Sequence, residues 1–143
     1  MLSYCNKCVM PSTKPDLHLD DHGGGWHHDS RVIGNKRLDK GFGYIAIIMF
    51  DKFEEDNGCT LYVDKSHLIR NKQPKKNQNY KCKKILGKRG TVAIIDTALW
   101  HKSGEPSELK TRWSIFSYYG PWFMKPYFDF PTMMSKKYKN IDK

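Results

Sequence analysis

The apolar residues of this 143-residue chain fall in short runs that are rich in Ile, Val, Tyr and Phe and separated by turn-forming residues. Runs of this length and composition, bounded by signals such as Asp56-Asn57-Gly58, predict β-strands. The predicted strands cover Arg31 to Ile33, Gly43 to Phe50, Cys59 to Val63, Thr91 to Asp96 and Arg112 to Tyr119.

Helical patterns are nearly absent from the sequence. Only Lys52 to Asp56 and Lys65 to Asn71 indicate short helical turns, and no 3.6-residue periodicity is sustained. Several short strands without helical cover must close into a barrel or pack as two sheets, and the length allows one core. We therefore predict a single all-β domain with a jelly-roll architecture.

The formal net charge of +10 is concentrated in residues 70–89 and 136–143. This distribution favours anionic partners, although a solvated lysine-rich loop and tail would explain it equally well. The apolar runs are shorter than the roughly 18 residues of a membrane span, and no secretory signal is visible at the N-terminus. We expect a cytoplasmic protein whose four cysteines remain free thiols or ligands.

The segment Trp26 to Arg31 carries an H-x-D pair. If this segment is a strand, alternation sends His27 and Asp29 to one face and His28 to the other, so one strand offers two ligands to a single ion. Two histidines and one carboxylate on one face of an octahedral ion are typical of non-haem Fe(II) oxygenases. The missing ligand should then be a histidine.

Two downstream residues fit such a site. His101 closes the apolar run from Thr91 to Trp100, at a predicted strand end, and Arg112 opens the next strand. A guanidinium group beside a metal can bind a dicarboxylate co-substrate through two parallel hydrogen bonds. A surface ion pair of Arg112 with Glu105 or Glu108 is the alternative.

Four sequence elements occur in an order and spacing that carry a family resemblance. They are Trp26-His27-His28-Asp29, Asn57-Gly58-Cys59-Thr60-Leu61 running to Ser66-His67, His101-Lys102-Ser103-Gly104 with Arg112, and Tyr119-Gly120-Pro121-Trp122. Over residues 25–122, the chain resembles the phytanoyl-CoA dioxygenase family of Fe(II)/2-oxoglutarate oxygenases.

The resemblance implies a double-stranded β-helix, a jelly-roll or cupin-like fold. It is expected to be N-terminally truncated, because only 26 residues precede His27. It also implies that His27, Asp29 and His101 bind iron, that Arg112 binds the distal carboxylate of 2-oxoglutarate, and that Ser103 assists it. His67 closes a turn that varies the family's usual sequence, and it is expected to be structural.

The implied activity is that of an Fe(II)/2-oxoglutarate-dependent dioxygenase. Because Asp29 is present, hydroxylation is expected rather than halogenation, whose catalysts in this family lack the carboxylate. The substrate is expected to be small or carrier-linked and anionic, such as a coenzyme A ester or a nucleotide sugar. A truncated barrel would expose an edge strand, which favours a homodimer.

The N-terminus carries a second resemblance. Residues 4–21 resemble the start of N-acetyl sugar amidotransferases, whose four-thiolate zinc site needs a further cysteine pair. The single C-x-x-C at Cys5 and Cys8 supplies two of the four ligands, so zinc is not expected there. The predicted division is an N-terminal segment at 1–25, an oxygenase core at 26–122 and a basic tail at 123–143.

Two other functions remain open from the sequence. A degenerate relative would keep the fold and turn nothing over, which the short N-terminal region favours. A basic nucleic-acid-binding β-barrel would need aromatic and basic residues interleaved on one strand face, whereas the lysines cluster in the 70–89 loop and the tail. We therefore expect neither nucleic acid nor a membrane as partner.

Overall fold

The computed structural model describes residues 25–30, 43–69, 72–105 and 112–121, together with the backbone of strands at 2–9, 32–33 and 36–37. The strands are β1 (Leu2–Val9), β2 (Val32–Ile33), β3 (Lys36–Arg37), β4 (Tyr44–Met49), β5 (Thr60–Tyr62), β6 (Lys83–Lys84), β7 (Val92–Asp96), β8 (His101–Ser103) and β9 (Ser114–Gly120). One turn of 3-10 helix spans Ser66–Leu68.

The strands form two antiparallel sheets and a short hairpin. The larger sheet has the order β1-β9-β4-β7, and the smaller one has the order β6-β5-β8. An isolated bridge between His27 and His101 adds the H-x-D segment to the free side of β8. Strands β2 and β3 pair with each other. The predicted all-β double-stranded β-helix is therefore confirmed.

The core lies between the two sheets, and β4 explains how it forms. Its alternating residues Ile45, Ile47 and Met49 are all buried at 2% exposure or less, because one face of a strand is turned toward the opposite sheet. Phe53, Cys59, Ile95, Leu99 and Tyr118 complete the cluster. This apolar layer holds the loops at the strand ends in place.

Several predicted elements differ from the observed ones. The strand predicted from Thr91 to Asp96 is observed as β7, but His101 begins β8 instead of ending a strand. The segment Lys52 to Asp56 is not helical, since Phe53 bridges to Gly87. A short polar strand such as β6 lacks the apolar alternation by which strands are recognised.

The backbone of β1 lies before the H-x-D segment and pairs with β9 from Leu2 opposite Gly120 to Val9 opposite Ser114. The larger sheet thereby has a fourth strand. The side chains of Cys5 and Cys8 lie outside the described residues, so the zinc expectation and the proposed boundaries at 25 and 122 stay predictions. No helix within the described part of the chain is long and apolar enough to cross a membrane.

Candidate functional site

Backbone hydrogen bonds bring the H-x-D segment to the start of β8. The amides of His27 and His101 donate to each other's carbonyl oxygens, at 3.0 and 2.9 Å. The amide of Asp29 donates to the carbonyl oxygen of Thr97 at 2.8 Å, and the amide of Thr97 donates to that of Gly43 at 3.1 Å. The segment is therefore held to the smaller sheet and, through Thr97, to the edge of the larger one.

The side chains of His27, Asp29 and His101 converge. The Nε2 atom of His27 lies 4.0 Å from one carboxylate oxygen of Asp29, and Nε2 of His101 lies 3.6 Å from the other. Potential ligand atoms from the three residues all lie within 4.8 Å of one another. His28 and His67 belong to no such cluster among the described residues.

The tautomer of each histidine follows from its other ring nitrogen. Nδ1 of His27 lies 2.8 Å from the carbonyl oxygen of Gly25, and Nδ1 of His101 lies 2.9 Å from that of Leu99. A carbonyl oxygen only accepts, so each Nδ1 carries the proton and each Nε2 keeps a lone pair facing Asp29. Two lone pairs and a carboxylate converging on one point fit a cation, and backbone-oriented imidazoles are typical of metal sites.

Burial keeps His101 neutral. Its desolvation lowers the pKa of the imidazole below the ordinary 6.5, an effect that the nearby carboxylate of Asp29 opposes. Only 4% of His101 is exposed. A neutral imidazole is the form that binds a metal, so no proton has to leave His101 near neutral pH.

Arg112 is buried with part of its hydrogen-bonding capacity unused. It is 1% exposed, its Nε donates to the carbonyl oxygen of Gly58 at 3.0 Å, and Nη2 donates to the same oxygen. Its guanidinium carbon lies 4.0 Å from the centre of the Phe53 ring. Nη1 is buried and has no hydrogen-bond partner among the described residues. The alternative pair with Glu105 is not formed there, and Glu108 lies outside them.

Burial lowers the pKa of Arg112 to about 10, so the guanidinium group stays charged at neutral pH. A buried cation with a free donor requires an anionic partner to offset its desolvation. This donor set fits a carboxylate.

Ser103 lies at the opposite end of β8 from His101. It is exposed and faces Thr60 across the β5–β8 pair, so the structure does not place it among the three metal-ligand candidates. The amide of the next residue, Gly104, donates to the carbonyl oxygen of Cys59 at 2.9 Å, and a Cβ there would lie 2.7 Å from that oxygen. Ser103 and Arg112 therefore both border the segment 58–60.

A cleft of about 510 Å³ opens between the smaller sheet and β7. Its lining is mainly apolar and includes Ile85, Ala93 and Leu99, with Tyr62 and His67 among the polar members. Tyr62 stands directly opposite His101 in the β5–β8 pair, but none of the three candidate metal ligands lines the cleft.

Sequence reasoning missed residues that support the site. Ser66 is fully buried and its hydroxyl oxygen accepts from the amide of Trp100 at 2.8 Å, immediately before His101. Tyr80 packs edge-on against Trp26 and Trp100, at ring-centre distances of 5.5 and 5.4 Å. No local signal in the sequence pairs Tyr80 with either tryptophan.

Comparisons with known proteins identify the family of this chain. The profile of the family described as phytanoyl-CoA dioxygenase (PhyH) matches residues 13–112. The uncharacterized proteins Mb1539 of Mycobacterium bovis and Rv1501 of Mycobacterium tuberculosis are each 29% identical over 138 residues, which are 91% of this chain and 46% of theirs. The chain thus spans about half the length of the curated relatives it matches.

Solved structures share the fold at low sequence identity. AviO1 from Streptomyces viridochromogenes Tue57 aligns with a TM-score of 0.57 and 18% identity over 87% of this chain and 53% of AviO1. The epimerase SnoN, in complex with Fe3+, alpha ketoglutarate and nogalamycin RO, aligns with a TM-score of 0.53 and 15% identity over 79% of this chain and 47% of SnoN.

Proposed function

Since the chain belongs to the phytanoyl-CoA dioxygenase family, we propose that it is an Fe(II)/2-oxoglutarate-dependent dioxygenase that hydroxylates a small or carrier-linked anionic substrate. The observation that carries the proposal is the convergence of two Nε2 lone pairs and the Asp29 carboxylate within 4.8 Å. Both histidines are oriented by backbone carbonyl groups, so this arrangement is preformed.

His27, Asp29 and His101 would hold the iron. A set of three protein ligands would leave coordination positions for a co-substrate and oxygen. When bound, the iron supplies oxygen activation coupled to decarboxylation of 2-oxoglutarate. Relatives that transfer halide lack the carboxylate, so the presence of Asp29, which would be an iron ligand, supports hydroxylation as the outcome.

Arg112 would bind the distal carboxylate of 2-oxoglutarate. The proposal is supported by its burial, its retained charge and the unused Nη1 donor. Its hydrogen bond to Gly58 holds the guanidinium group near the start of β5. His101 pairs with Tyr62 at the other end of that strand. Ser103, which borders the same segment, is proposed to assist in this binding.

The decisive experiment is an anaerobic titration of the purified protein with Fe(II) and then 2-oxoglutarate, with the visible metal-to-ligand absorption band as readout. We expect a band that His101→Ala abolishes and Arg112→Ala weakens. A wild-type protein that gives no band would contradict the proposal.

Succinate formation separates an active enzyme from the degenerate relative. Slow decarboxylation of 2-oxoglutarate without substrate is expected from an assembled iron site. Iron binding without any succinate would favour the degenerate relative, and salt-sensitive retention on single-stranded DNA would favour the nucleic-acid-binding barrel.

A further inference from the structure

A lysine-rich loop packs against the segment that carries His27. We call residues 72–82 the basic loop. The amide of Trp26 donates to the carbonyl oxygen of Lys76 at 3.2 Å. Gly25 lies so close that a Cβ there would be 2.9 Å from Cβ of Lys76, and the Gly25 carbonyl group also accepts from His27. The basic loop is thus one residue removed from a candidate metal ligand.

The basic loop has a defined shape. The hydroxyl group of Tyr80 accepts from the amide of Lys75 at 3.0 Å and donates to the side-chain oxygen of Gln78 at 3.1 Å. The amide of Gln78 donates to the carbonyl oxygen of Lys75 at 3.1 Å. Because the Tyr80 ring contacts Trp26 and Trp100, the backbone under the lysines is anchored to the smaller sheet.

The basic loop lies in a stretch of the sequence that is rich in positive charge. The sequence has no Asp or Glu between Asp64 and Asp96, while the same stretch contains ten Lys and Arg residues. Lys83 and Lys84, which follow the loop, are paired with Asp64 and Glu55, each at 2.8 Å. The described residues offer no acidic partner to Lys75, Lys76 or Lys81, all of which are exposed.

A further cation adjoins this group from β8. Lys102 follows His101 directly, and its ammonium nitrogen lies 5.4 Å from the centre of the Trp26 ring. Trp26 therefore has the basic loop on one side and Lys102 over its ring. Gathering like charges on an anchored backbone raises their mutual repulsion, which a multiply charged anion would relieve.

We propose that Lys75, Lys76, Lys81 and Lys102 form a binding surface for the phosphate groups of the substrate, next to the candidate metal ligand His27. Its catalytic use rests on the proposed function, whereas its anion binding does not. Lysine ammonium groups bind phosphate as point charges, and an anchored loop loses little conformational entropy on binding. Trp26 and Trp100 are 3% and 5% exposed, so they are not available to stack nucleic-acid bases.

The test uses inorganic pyrophosphate as the probe, titrated into the metal-free protein by calorimetry and by amide NMR. The variant Lys75→Ala/Lys76→Ala is compared with the control variant Lys88→Ala/Arg89→Ala. The control also removes two positive charges, but from the exposed turn between β6 and β7. We expect about tenfold weaker binding in the first variant and less than about twofold in the control. Amide shifts should centre on residues 25–27 and 75–81.

Equal losses in both variants would overturn the proposal, because net charge alone would explain them. Absence of binding in the wild type would overturn it as well. A single-stranded oligonucleotide that binds through the same lysines more tightly than pyrophosphate would overturn the choice of a small phosphate-bearing substrate.

The iron titration separates the two proposals. Pyrophosphate binding without the absorption band would leave the anion surface standing and remove the oxygenase function. The band without pyrophosphate binding would do the reverse.

Discussion

Two groups of candidate ligand residues lie near opposite ends of β5. Near Tyr62, His27, His101 and Asp29 direct electron-rich atoms at one another, and the outer nitrogens of both histidines are satisfied by the backbone. Near Thr60, two N–H groups of Arg112 donate to one carbonyl oxygen, and Nη1 has no hydrogen-bond partner among the described residues. The first group would bind a cation and the second an anion.

The difference shows that this double-sheet fold positions its two groups of candidate ligand residues by different means. We call the group of His27, Asp29 and His101 the metal end. Its geometry follows strand pairing, because the backbones of His27 and His101 are hydrogen-bonded to each other. We call the group around Arg112 the far end. It depends on the long side chain of Arg112, which is hydrogen-bonded to Gly58 and packed on Phe53. We expect the metal end to be sensitive to substitutions in the residues that support its backbone, and the far end to be sensitive to substitution of Arg112 itself.

The largest effect is expected from Arg112→Met, which breaks the far end and leaves the metal end intact. Loss of charge-assisted hydrogen bonds should weaken 2-oxoglutarate binding about a hundredfold. The titration of Fe(II) without co-substrate should be unchanged. Unaltered 2-oxoglutarate affinity, measured by anaerobic titration, would remove Arg112 from the co-substrate site.

Gly104→Ala tests the link between the two ends. The added Cβ would lie 2.7 Å from the carbonyl oxygen of Cys59, a backbone atom that cannot easily move. We expect the free energy of unfolding to fall by about 1–3 kcal/mol in urea titrations. The neighbouring exposed substitution Ser103→Ala is the control, and an equal effect of both would show that the close approach is unimportant.

Ser66→Ala probes the support of the metal end alone. It leaves the buried amide of Trp100 without its acceptor, which should cost about 1–2 kcal/mol of unfolding free energy. Iron affinity should fall with it, while 2-oxoglutarate contacts of Arg112 are unaffected. A stability equal to that of the wild type would mean that another group satisfies the amide.

The smallest expected effect is that of acidification, which should lower the stability of the protein through His101 and not through Arg112. The folded-state pKa of His101 lies below 6.5, so below that pH the unfolded chain binds a proton that the folded protein does not. The metal-free protein should therefore lose stability as pH falls below about 6.5, with the loss ending near the folded-state pKa. Arg112, with a pKa of about 10, does not titrate in that range and contributes nothing to the pH dependence of stability there.

The matched measurement is the urea midpoint of wild type and His101→Gln between pH 7 and pH 5. The variant should show a smaller dependence on pH, because glutamine does not titrate. Identical slopes would assign the acid sensitivity to other groups.

The parts of the fold that could be predicted are those with local signals. Strand β4 combines an apolar run with burial of Ile45 and Ile47, and the turn after Val63 contains the 3-10 helix expected within Lys65 to Asn71. Strands β6 and β8 could not be predicted, since polar strands of two or three residues exist only through their partners.

The sequence by itself determined the pairing of His27 with Asp29, because alternate residues of an extended segment share a face. Its motifs also predict roles for His101 and Arg112 through a family resemblance; the family match confirms the resemblance, and the two roles stay predictions. Only the tertiary structure decided that Gly25 and Leu99 orient the two imidazoles, that Gly58 holds Arg112, and that Tyr80 anchors the basic loop. Those contacts join backbone atoms and side chains whose proximity is set by sheet register and packing, which no local sequence pattern encodes.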